Sequence, residues 1–135
     1  MPKFYLATKR TRAAQAEKLL EALSSRGWER TFTWTGKDKA GNDEYRDLAL
    51  AELAGVRDAD VLIVLLPGGY GTHVEIGAAL ALGKPVILHA PDQKTLDTPY
   101  PCAFHYHSGV KLLISNVVDV DAILACIPQE NVSGG

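Results

Sequence analysis

The seven residues DVLIVLL, Asp60 to Leu66, constrain this chain more than any other stretch. The run is continuous, so it lacks the period-two alternation of a strand with one wet face, and it is too short for a buried helix. A strand covered on both faces fits it, and strands of that kind belong to parallel sheets flanked by helices. The rest of the chain agrees. KFYLAT (Lys3 to Thr8) reads as a strand, and TRAAQAEKLLEALSSRG as a helix with its apolar side at Ala16, Leu19, Leu20 and Leu23, closed by Gly27 as the residue after the cap. ERTFTW (Glu29 to Trp34) alternates as a second strand, and TGKDKAGND (Thr35 to Asp43) has the Gly, Asn and Asp of a loop.

A helix over 44–56 precedes the central strand, and one over 72–82, ended by Gly83 and Pro85, follows it. PVILHA (Pro85 to Ala90) is the next strand, Pro91 to Gly109 a loop, and VKLLIS (Val110 to Ser115) and VVDVDAILACI (Val117 to Ile127) a last strand and helix. The alternation predicts one α/β domain over 1–128, a doubly wound parallel sheet of about five strands with helices on both faces, Rossmann-like or flavodoxin-like. Residues 129–135, QENVSGG, read as a flexible tail.

Composition removes several classes of function. With 14 Lys+Arg against 16 Asp+Glu there is no net positive field for nucleic acid. No apolar run approaches the roughly 18 residues that span a bilayer, and MPKFYLATKR lacks the apolar core of a signal peptide, so a cytoplasmic protein is expected. Cys102 and Cys126 form neither a zinc pattern nor a C-x-x-C pair and read as free thiols.

In a sheet of this kind ligands sit at the carboxyl ends of the strands. That edge holds Thr8 to Arg10, Trp34 to Asp38, Pro67 to Glu75 and His89 to Asp92, whereas Asp58 and Asp60 lie at the opposite edge and read as solvated loop or cap residues. The PGGYGT loop leads into a helix through Gly68, Gly69 and Gly71, whose freedom to take positive φ and to bring N–H groups close to a ligand suits an anion or a sugar. It has no Lys-Ser/Thr of a phosphate-binding Walker loop and lacks the last glycine of a dinucleotide fingerprint, so no cofactor is expected. Glu75 has two readings. Thr72-His73-Val74-Glu75 fits a capping box with Thr72 as N-cap, and the same placement in a first helical turn, where the dipole favours the ionised form, suits a nucleophile toward a sugar C1′.

Phe4 to Ala7, the TFTWT strand end, DADVLIVLL and GTHVEIGAALALGKPVIL together resemble the nucleoside 2-deoxyribosyltransferases and related deoxynucleotide N-glycosidases over nearly the whole chain. The resemblance implies that Glu75 attacks C1′ of a nucleoside and Tyr5 orients it, with transfer of the sugar to another base, in a homodimer or higher homo-oligomer with sites near subunit contacts. PGGYGTHVE also resembles the PGGxGTxxE motif of the cytokinin-activating phosphoribohydrolases, which makes hydrolysis of a nucleoside 5′-monophosphate the alternative. Two positions depart from the family. Glu52, which reads equally as a plain helix-face residue, stands where an aspartate helps protonate the leaving base, and Gly69 replaces a second aspartate six residues before the nucleophile, which opens the loop to a 5′-phosphate. A noncatalytic nucleotide-binding module, with Glu75 only capping the helix, is the third reading.

Other residues carry paired readings. Trp34 stacks on a base or packs in the core, and Tyr70 is exposed or at a subunit contact. His73 contacts a sugar hydroxyl or phosphate, or turns away from Glu75. Asp38 and Lys37 close over substrate or belong to a solvated turn, and Lys9 and Arg10 meet a phosphate or flank a helix. His105 and His107, on one side of an extended segment, suggest a metal pair but lack a third ligand at matching spacing, so closure of the cleft or a dimer contact is preferred and no metal is expected.

Overall fold

A computed structural model describes residues 1–34 and 41–128. Asp38, Lys37 and the tail at 129–135 therefore lie outside the described residues. Five strands form one parallel sheet in the order β2-β1-β3-β4-β5: β1 (Lys3–Thr8), β2 (Glu29–Arg30), β3 (Val61–Leu65), β4 (Val86–Ala90) and β5 (Val110–Ile114). The helices are α1 (Ala13–Ser25), α2 (Asn42–Asp58), α3 (Tyr70–Ala81), α4 (Gln93–Leu96) and α5 (Val120–Ala125). None of the described helices is long and apolar enough to cross a membrane.

Alternation along the strands splits the core in two. On one face Tyr5, Ala7, Leu62, Val64, Val86 and Leu88 meet Val56 of α2 and Ile76 and Ala79 of α3. On the other, Phe4, Leu6, Val61, Ile63, Leu65 and Ile87 meet Ala16, Leu19 and Leu23 of α1 and Ile123 of α5. All five residues of β3 are buried, because successive side chains enter different layers and both layers are dry. Gly27 and Gly83 follow α1 and α3 with positive φ, as the sequence predicts for residues that end a helix.

The structure corrects several boundaries. β2 has two residues where alternation predicts six, because this edge strand leaves its ladder after Arg30. The Thr31 hydroxyl then donates to the Gly55 carbonyl at 2.7 Å, and the Phe32 ring stacks on Tyr5. α2 runs past Val56 to Asp58, with Gly55 inside it. Asp60 is not a solvated residue: its carboxylate accepts from the Lys3 N–H at 2.8 Å and ties β3 to the start of β1. α5 is shorter than read and starts behind Asp119, which accepts from the N–H groups of Asp121 and Ala122. The segment predicted as loop holds α4, capped by Asp92 accepting from Thr95 N–H and anchored by the buried Leu96, and a 3-10 turn at Ala103–Tyr106.

The sheet reverses its winding between β1 and β3. β2 lies outward of β1 on one side, and β4 and β5 continue from β3 on the other. The crevice at the carboxyl ends of these two strands is where such folds hold ligands.

Candidate active site

That crevice is a cavity of about 570 Å³, within the range of small-molecule sites. Its walls are the end of β1 from Tyr5 to Lys9, one side of α1, the chain at Arg30, Phe32 and Trp34, α2 at Tyr45, Leu48 and Glu52, and Gly69, Gly71, Thr72 and Glu75. Tyr5, Glu52 and Glu75, read from the sequence as the chemical groups, are thus brought together from three elements remote in the chain. Trp34, Gly69, Gly71 and Thr72 line the same space. Gly68 and His73 do not line it.

The glycine loop differs from its sequence reading. The positive-φ glycines among the described residues are Gly27 and Gly83, so the loop does not depend on left-handed backbone. Gly68 is required by close approach instead: a Cβ there would sit 2.5 Å from the Thr72 side chain. Gly69 and Gly71 face open space, which leaves the backbone beside the cavity bare. Gly69 is the N-cap of α3, and Thr72 at the third helical position accepts from the Gly69 N–H at 3.2 Å. The helix therefore starts at Tyr70, two residues before the predicted start, and Thr72 is not its N-cap. Glu75 falls in the second turn and does not cap the helix.

Glu75 is 7% exposed, and its Oε2 accepts from the Tyr5 hydroxyl at 2.5 Å. Burial pushes its pKa up to about 8; the Tyr5 hydrogen bond opposes this, and the charge and hydrogen bond of Glu52 add to it. The expectation of an ionised carboxylate held by the helix dipole is overturned for the empty site. The dipole acts within the first turn, whereas desolvation acts on the whole group. Tyr5 is held well above the usual phenol range, first by burial and then by the Glu75 charge, so it remains a hydrogen-bond donor.

The Tyr5 ring is held by Phe32 and by the close approach of α2. It stacks on Phe32 at 5.9 Å between centroids and 17° between planes. Gly55 of α2 lies against both, so that a Cβ there would be 2.9 Å from Phe32 Cβ and 3.0 Å from the Tyr5 ring. A helix residue without a side chain is what lets α2 approach β1 and carry Glu52, three residues earlier, to the cavity wall.

Sequence reasoning missed Arg30 and Phe32. The available signal was the alternation at 29–34: Arg30, Phe32 and Trp34 share one side, and that side faces the cavity rather than a second sheet layer. Arg30 is half-buried, its Nε has no partner among the described residues, and burial lowers its pKa.

His73 turns away from Glu75, one of the two alternatives open in the sequence. Its Nδ1–H donates to the Gly69 carbonyl at 2.8 Å and its Nε2 meets His105 Nε2 at 2.8 Å. His105 and His107 do not act as a pair, because the 3-10 turn sends His105 inward while His107 Nδ1 accepts from Gly109 N–H. Tyr70 is exposed, and the Lys9 side chain is exposed at the rim.

The family model for nucleoside 2-deoxyribosyltransferase matches residues 2–131. Among solved structures, a CMP N-glycosidase of Clostridium botulinum is similar at 25% identity and TM-score 0.63, covering 84% of this chain and 89% of its own. A 2-deoxyribosyltransferase of Bacillus psychrosaccharolyticus is similar at 21% identity and TM-score 0.61, covering 90% and 95%. One from Leishmania mexicana is similar at 15% identity and TM-score 0.60, covering 93% and 95%. The last two likenesses show the fold. No curated protein matches the chain.

Proposed function

The chain belongs to the nucleoside 2-deoxyribosyltransferase family, and from that premise we propose that it cleaves the N-glycosidic bond of a (deoxy)nucleoside and transfers the sugar to another base through a glycosyl-Glu75 intermediate. The observation that carries this reading is the Tyr5 hydroxyl on Glu75 in the wall of a nucleoside-sized cavity, with Glu52 beside it.

In the empty site the proton rests on Glu75. Substrate binding moves it to Glu52, leaving Glu75 ionised. The Glu75 carboxylate then bonds to C1′ as the C1′–N bond breaks, and the bond electrons leave with the base, which takes the proton from Glu52. A second base attacks C1′ of the ester, releases the Glu75 carboxylate and returns its proton to Glu52. Two displacements retain the configuration at C1′. Tyr5 holds the carboxylate oxygen throughout, and Trp34 and Phe32 offer faces to the base.

Hydrolysis of a nucleoside 5′-monophosphate is the second reading, favoured by two observations. Gly69 and Gly71 expose backbone at the start of α3, a setting that suits phosphate, and Lys9 lies on the same rim. The similar structure at 25% identity is a CMP N-glycosidase. Water would then replace the second base. The proposal also takes the protein as cytoplasmic and homo-oligomeric; the exposed Tyr70, Tyr100, Phe104 and Tyr106 support a subunit contact, and size-exclusion chromatography with light scattering tests it.

Incubation with a deoxynucleoside and a different free base, with and without a 5′-phosphate, separates the two. A new nucleoside supports transfer. Free sugar or sugar phosphate as sole product removes transfer, and turnover by Glu75→Gln at the wild-type rate removes the nucleophile.

A further inference from the structure

A second cluster of chemically active side chains lies outside the cavity, where α3 meets the segment before β5. His73, Cys102 and His105 each offer one ligating atom, and these atoms lie within 4.8 Å of one another. We infer that the trio is a binding site for a zinc-class divalent cation, with a water in the fourth position.

The His73 ring is already oriented for binding. His73 Nδ1–H is fixed on the Gly69 carbonyl, which leaves Nε2 with its lone pair toward the cluster. A backbone carbonyl on the far ring nitrogen is the usual way a metal-bound imidazole is held. His105 is 6% exposed, and its Nδ1 has no partner among the described residues, so its one hydrogen bond in the cluster is the Nε2 contact with His73 at 2.8 Å. Cys102 and His105 are three residues apart across a 3-10 turn, with the His105 N–H donating to the Cys102 carbonyl at 3.1 Å. That geometry superimposes side chains three apart, and it converts a C-x-x-H string into two ligands on one side.

The required movement is small. Tetrahedral zinc with nitrogens at about 2.0 Å and sulfur at about 2.3 Å sets ligand separations of roughly 3.3 Å between nitrogens and 3.6 Å from nitrogen to sulfur. The two imidazoles part slightly and the thiol swings in. The Cys102 thiol gives up its proton to solvent on binding. Two imidazoles and a thiolate suit a borderline-soft cation and not magnesium or calcium. Because His73 does not line the cavity, the cation acts as a clamp: it joins the 3-10 turn at Ala103–Tyr106 to the first turn of α3, directly behind the glycine loop. The inference does not depend on the proposed reaction.

The test uses the full chain stripped with chelator and titrated with Co²⁺ or Zn²⁺. One Co²⁺ per chain is expected, with a sulfur-to-cobalt charge-transfer band in the near ultraviolet and visible bands of tetrahedral intensity. Cys102→Ser abolishes the charge-transfer band, His73→Ala and His105→Ala each weaken binding tenfold or more, and His107→Ala leaves it unchanged. Retention of the band in Cys102→Ser, equal weakening by His107→Ala, or no retained cation at micromolar concentration overturns the site. Should a variant fail to fold, alkylation of the wild type decides. Zn²⁺ then slows modification of Cys102 selectively, with Cys126 as internal reference, and equal rates at the two thiols overturn the site.

Discussion

Replacing Glu75 by glutamine is expected to stabilise the protein while removing its chemistry. The carboxyl is buried, and its pKa is about 8 in the folded chain against an ordinary 4.5. Below pH 4.5 both folded and unfolded chains carry the proton, and the group adds no pH dependence. Between pH 4.5 and 8 the folded chain holds a proton that the unfolded chain has released, so stability falls as pH rises, by about 1.4 kcal/mol per pH unit. At pH 7 the accumulated cost is about 3 kcal/mol. Glutamine is neutral and of the same shape, and its amide oxygen accepts from Tyr5, so the variant avoids this cost. For a chain of this length, about 3 kcal/mol corresponds to roughly 10 °C in melting temperature. The assay is thermal or urea unfolding of both proteins from pH 4 to 8. The two curves should lie close at pH 4 and diverge steadily, glutamine above glutamate. A difference independent of pH, or a glutamine variant less stable throughout, refutes the claim that burial holds this carboxyl protonated.

Four further outcomes follow from the same geometry. Since the proposed reaction keeps the one proton that rests on Glu75 and hands it to Glu52, kcat/KM for glycosidic cleavage should be level below a basic limb near 8 and fall about tenfold per pH unit above it, and a profile still rising from pH 8 to 10 counts against that proton transfer. Tyr5→Phe removes the hydrogen bond that lowers the Glu75 pKa; the basic limb moves to higher pH and, with the carboxylate no longer held in place, neutral-pH turnover drops by about 10²-fold, both read from the pH–rate profile. Glu52→Gln removes the neighbouring charge, moving the limb to lower pH, and slows release of poorly leaving bases more than good ones, measured across a series of nucleosides. Gly55→Ala forces a methyl against Phe32 and the Tyr5 ring, costing about 1–3 kcal/mol in urea unfolding and lowering kcat even where the variant remains folded.

The parts of the fold visible in the sequence were those set by short-range physics. A run such as DVLIVLL has one stable use, and Gly27 and Gly83 end their helices for a local backbone reason. The grouping of Tyr5, Glu52 and Glu75 is visible only through family likeness, since no local pattern links positions 47 and 70 residues apart. What the letters hid was set by tertiary contact. Thr72 and Glu75 satisfy the spacing of a capping box, but Gly69 and Thr72 cap the helix, because the chain turns in at Gly68 where only hydrogen fits beside Thr72. The alternating ERTFTW leaves the sheet to stack on Tyr5, and the histidine beside Cys102 is drawn inward by a turn too short to show periodicity.

Moving Glu75 from the first helical turn to the second also changes how its reactivity must be controlled. A first-turn carboxylate would be ionised at rest, and an ionised nucleophile needs no activation. A second-turn carboxyl, desolvated and beside Glu52, is protonated at rest, and the Tyr5 hydrogen bond alone does not reverse that. Reaction then requires the proton to go to a group that can later use it, and Glu52 is the cavity carboxyl that also raises the Glu75 pKa. In the proposed mechanism, whatever draws the proton to Glu52 ionises Glu75 in the same step, so one proton would both activate the nucleophile and arm the acid that the departing base needs. The longer side chain at position 52 suits the proposed role because it reaches toward Glu75 from a helix that Gly55 allows to lie close.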